Sequence, residues 1–68
     1  MAQATEYHWI ITLELPGRAS ATFSGVAAVP PGQTRSEVYN GIRRELAAEH
    51  PELERANTAF FSLEPNQL

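Results

Sequence analysis

The chain has 68 residues, 43% of them hydrophobic, no cysteine, and a net charge of −3 from eight acidic and five basic side chains. That length makes one domain near the lower limit for a self-sufficient core, and the missing cysteines exclude a disulfide framework or a thiolate zinc site. The acidic balance argues against sequence-independent nucleic-acid binding, which runs on clustered positive charge.

All the acids are Glu and all the bases Arg, which with abundant Ala suggests a high-GC coding bias. The opening "MAQAT" has neither a basic region nor an apolar run, so no signal peptide is expected. The apolar stretches are too short to cross a bilayer, and the expected location is cytoplasmic.

Residues 7–15, "YHWIITLEL", alternate as a half-buried strand does. Tyr7, Trp9, Ile11, Leu13 and Leu15 share one face, and His8, Ile10, Thr12 and Glu14 the other. "PGR" is a turn, and residues 19–29, "ASATFSGVAAV", form a second strand with little side-chain volume. A two-residue loop would set Leu13 against Ser20 and mix core with solvent. A three-residue loop sets Leu15 opposite Ala19, Leu13 opposite Ala21, Ile11 opposite Phe23, Trp9 over Gly25 and Thr12 beside Thr22. Facing residues on a ladder lie on one side of the sheet, which selects the three-residue loop. A bulge at Ser24-Gly25 would bring Val26 and Ala28 back into the core phase.

"VPPGQ" ends the strand and "TRSE" opens a helix, with Thr34 and Glu37 spaced as a capping box. The helix is expected from 35 to 49 or 50, because Pro51 disfavours helical geometry at His50. Its apolar stripe is Val38, Tyr39, Ile42 and Leu46. Gly41 costs on the order of 1 kcal/mol relative to Ala. Either it is tolerated, or with Ala48 it makes a small-residue flank for the close approach of another backbone. After a short connection that tucks Leu53 beneath the helix, residues 58–64 form a third strand. Ala59, Phe61 and Leu63 share its core phase, and Phe60, Ser62 and Glu64 its outer phase.

The order β-β-α-β, with the third strand beside the first, predicts a single α+β two-layer domain with an ordered core over about 6–64. Its mainly antiparallel sheet has strand order 2-1-3, and one helix covers one face. From residue 7 to 64, the hairpin, Pro-containing turn, capped helix and following strand resemble the first two-thirds of a β-grasp, or ubiquitin-like, domain. The end "EPNQL" carries no Gly-Gly, so the resemblance does not imply conjugation. "FFSLEPNQL" also resembles small uncharacterised actinobacterial and phage proteins, a likeness that brings no activity with it.

No catalytic or cofactor motif stands out. His50 with Glu45, Glu49 or Glu52 falls short of a convergent metal set. The serines lack a His and acid arrangement, and the glycines form no phosphate cradle. The expected function is therefore non-enzymatic and without a cofactor: a module that binds a protein partner, with homodimerisation expected. The candidate partner surface is His8, Ile10, Thr12, Thr22, Phe60 and Ser62, on the outer sheet face or reached through an edge strand. The alternative is a dimeric nucleic-acid regulator that uses Arg35, Arg43 and Arg44.

Overall fold

The computed structural model describes residues 4–68; the first three residues of the expected N-terminal tail lie outside the described residues. The elements are β1 (Thr5–Leu15), β2 (Ala19–Val29), α1 (Arg35–Glu49), a short 3-10 turn (Pro51–Arg55) and β3 (Asn57–Pro65). The sheet order is β2-β1-β3, and both pairings are antiparallel. The α+β arrangement and strand order are those expected from the sequence.

The hairpin closes through Pro16-Gly17-Arg18. Arg18 N–H donates to Leu15 O at 2.9 Å, and Gly17 holds φ 73°, the left-handed value that a Pro-Gly turn needs at its second corner. This loop sets Leu13 against Ala21, Ile11 against Phe23 and Trp9 against Gly25. Trp9 lies flat on Gly25, where an added Cβ would come within 2.8 Å of Trp9 Cζ2. A glycine in a strand weakens the strand, and here it makes room for the largest side chain of the inner face.

The ladder from Thr5↔Val29 to Leu15↔Ala19 is unbroken, so the bulge expected at Ser24-Gly25 is absent. Val26 and Ala28 stay in the outer phase and are exposed. The irregularity falls in β3 instead: Thr12 pairs with Phe60 but Leu13 pairs with Thr58, leaving Ala59 as the extra residue. Ala59 is exposed, against its expected place in the core phase. Thr58 takes the inner position because α1 captures its hydroxyl, through a short hydrogen bond with Tyr39 Oη and another from Arg43 Nη1 at 3.2 Å.

α1 begins at the Thr34 cap. Thr34 Oγ1 accepts from Glu37 N–H at 3.1 Å, and Glu37 Oε1 accepts from Thr34 N–H at 2.8 Å. Donation from the Thr34 backbone, followed by that from its hydroxyl, holds the Glu37 carboxyl below its ordinary pKa. Val38, Ile42 and Leu46 turn inward onto Ile11 and Leu13, which are 0% and 1% exposed, with Leu53 and Ala56 closing one end. Phe61 packs edge-on against Tyr39 with ring centroids 5.1 Å apart.

Candidate functional site

One helix covers one face of the sheet, and the other face carries the six residues read as a partner surface. Strand alternation places them together on three alternate rungs. Thr12 lies between Thr22 and Phe60, Ile10 between Ser24 and Ser62, and His8 between Val26 and Glu64. Thr12 and Thr22 share a hydrogen bond of 2.9 Å between their hydroxyls, which fixes one flank of Ile10. Phe60 is 53% exposed and Val26 52%, on opposite strands with half-buried Ile10 between them. Glu6, Glu14 and Glu64 stand at the two ends of this face, giving an apolar centre with a polar rim.

Val26 is the member missed in the sequence, because the supposed bulge turned it inward. The signal that could have found it is the register itself: Trp9 opposite Gly25, carried on without a bulge, leaves Val26 opposite His8 on the outer face. The segment after β3 does not fold over Phe60. Asn66 N–H donates to Glu6 O at 2.9 Å, prolonging the β1–β3 contact past the end of the ladder.

The three helix arginines do not converge. Arg35 sits with its guanidinium carbon 4.7 Å from the Phe61 ring centroid and donates to Phe61 O at 3.4 Å. Arg43 donates to Ala56 O at 2.9 Å, to Thr58 Oγ1, and to Glu54 O at 3.3 Å. Both tie the helix to β3, while Arg44 is exposed about 100° further round. His50 packs its ring 5.4 Å from that of Phe23. Among the described residues no three His, Cys, Asp or Glu side chains converge as a metal site would require, and no helix is long and apolar enough to cross a membrane.

On the far flank of α1 a groove of about 370 Å³ runs between the helix and β2, with Trp9, Gly25, Ala27, Gly41 and Glu45 among its lining. It is shallow and open, and it brings together no nucleophile, base and orienting group. Compared with known protein families, curated proteins and solved structures, the chain matches none.

Proposed function

We propose that this chain is a small non-enzymatic protein-docking module that works through the outer face of its sheet, and that the surface it docks is the same face of a second copy. The observation that carries this reading is the pair of exposed apolar side chains, Phe60 and Val26, flanking Ile10 on a face that no other element of the described residues covers.

Two magnitudes support it. The accessible surface is 4989 Å², against roughly 4,200 Å² for an average folded monomer of this mass. Three strands of this length also present roughly 500 Å² of face. A two-fold pairing of two such faces would bury about 1,000 Å² in total, the lower bound for a specific interface. Packing the sheets face to face makes a four-layer particle, helix-sheet-sheet-helix, with the glutamates at the rim.

Sedimentation equilibrium tests this on wild type and Phe60→Glu over a wide concentration range. A wild-type dimer that becomes monomeric with Phe60→Glu is the expected result. A wild-type monomer at hundreds of micromolar overturns self-association, and a dimer indifferent to Phe60→Glu removes the interface from this face.

A further inference from the structure

The two edges of the sheet are treated differently. The β3 edge is broken by the bulge at Ala59, ends in Pro65, and has Arg35 hydrogen-bonded to Phe61 O. Bulges, prolines and charges on an edge are the usual devices against adding another strand. β2 has none of them: its 11 residues include no proline and no charge, and its register against β1 is unbroken. Its outward side has no strand partner among the described residues.

Beside that edge lies the groove under α1, and Gly41 on its wall has no local explanation. Its φ is not positive, and a Cβ built there would meet nothing within 4 Å. A helix-interior glycine with empty space around it lowers stability and relieves no clash within the chain. The same flank carries Glu37 and Glu45 in the groove, with Glu49 next along. Arg35 and Arg43, by contrast, are turned to the β3 side. The charged side chains that line the groove are thus all acidic, with Arg44 outside it on the solvent side of the helix.

We propose that the free edge of β2 accepts an extended, basic segment of a partner protein, which adds as a fourth strand with its inward side chains beneath the Gly41 flank. Backbone hydrogen bonds to β2 supply register-tolerant affinity, and the glutamates select positive side chains. The spacings agree. Glu37 and Glu45 are about 12 Å apart along the helix and Glu45 and Glu49 about 6 Å. Same-face residues on a strand recur every ~7 Å, so every second residue of the segment can meet this row. A second copy fits the edge poorly, because pairing β2 with β2 across a two-fold turns two acidic flanks toward each other. This surface adjoins the outer face along β2, with Val26 at the border of both and Phe60 two strands away, and it rests on the same reading of the chain as a protein-docking module.

The probe is a fluorescein-labelled decapeptide of alternating Val and Lys, compared with the same peptide N-methylated on alternate residues and with a Val/Glu version. Anisotropy and amide chemical-shift mapping are read at physiological salt for wild type, Gly41→Leu, Glu45→Gln/Glu49→Gln and Phe60→Glu. The expected result is binding that maps to β2, falls at least tenfold on N-methylation and in Gly41→Leu, weakens in the double glutamine variant, and is unchanged in Phe60→Glu. Helical circular dichroism confirms that Gly41→Leu remains folded. Absence of binding by the Val/Lys peptide, equal binding of its N-methylated form, or shifts confined to the Phe60 face would each overturn the proposal. Loss in Phe60→Glu with retention in Gly41→Leu would overturn it while leaving the outer-face reading in place.

Discussion

Glu37 holds three positions at once. It completes the cap of α1, stands in the positive field of the helix N-terminus, and lines the groove beside β2. The cap makes a prediction with a definite sign. The folded-state pKa of Glu37 is depressed, chiefly by the Thr34 backbone donor and then by its hydroxyl. A depressed carboxylate contributes stability that is present above its unfolded pKa and lost as pH falls through the lower, folded value. Urea denaturation of wild type and Glu37→Gln should therefore differ most near neutrality and converge below the ordinary carboxylate range. A gap that persists unchanged into acid would show that the carboxylate charge contributes nothing at this cap. Thr34→Ala, which removes the hydroxyl half, is expected to cost about 1 kcal/mol.

Among the elements, β3 carries the sharpest contrast: adjacent phenylalanines on opposite faces. Phe61 is wedged between Tyr39 and Arg35, and Phe60 looks outward beside Thr12. Truncating a packed aromatic costs about 3–5 kcal/mol, comparable to the whole stability of a domain this size. Phe61→Ser should accordingly lose its cooperative thermal transition, whereas Phe60→Ser should keep it and its near-ultraviolet circular dichroism. Equal loss in both would put the phase of β3 in error.

That phase was legible because Phe61 and Leu63 alternate with Phe60 and Ser62, and the hairpin register followed from matching Ile11 and Leu13 to small or aromatic partners. The capping box and Pro51 likewise bounded α1 by local chemistry. Ala59 and Thr58 were not legible. Alternation alone prefers Ala inside, and only the hydroxyl of Tyr39 and the guanidinium of Arg43, supplied by the helix across the core, make Thr the better inner residue. Val26 was lost for a different reason: Val26 and Ala28 break the apolar alternation of β2, which reads as a bulge, whereas the ladder keeps its register past Gly25 and leaves both side chains exposed. A tertiary partner chose the first outcome, and the continuous backbone ladder the second.

At the scale of the whole molecule, the domain is a slab, 47 × 23 × 17 Å, with a radius of gyration of 12.9 Å against roughly 11 Å for a compact chain of this length. Long strands of 11 residues under a single 15-residue helix make it so: one face of the sheet is covered, and no element of the described residues covers the other. A core this thin, with no cysteine to form a disulfide and no convergent metal ligands among the described residues, gains only a few kcal/mol by itself, so burying the outer face would raise stability as well as provide a docking surface. Stability is then coupled to concentration, because a dimer that melts to two unfolded chains is favoured by mass action. A hundredfold rise in protein concentration shifts that equilibrium by about 2.7 kcal/mol. With an unfolding entropy of roughly 2.1 cal/mol/K per residue over two chains, Tm should rise by about 10 °C. Phe60→Glu, which places a charge within the apolar part of the face, should melt at one temperature across the same range. Melting followed by far-ultraviolet circular dichroism at the two concentrations checks this, and a wild-type Tm independent of concentration would show that the slab folds and stays as a single chain.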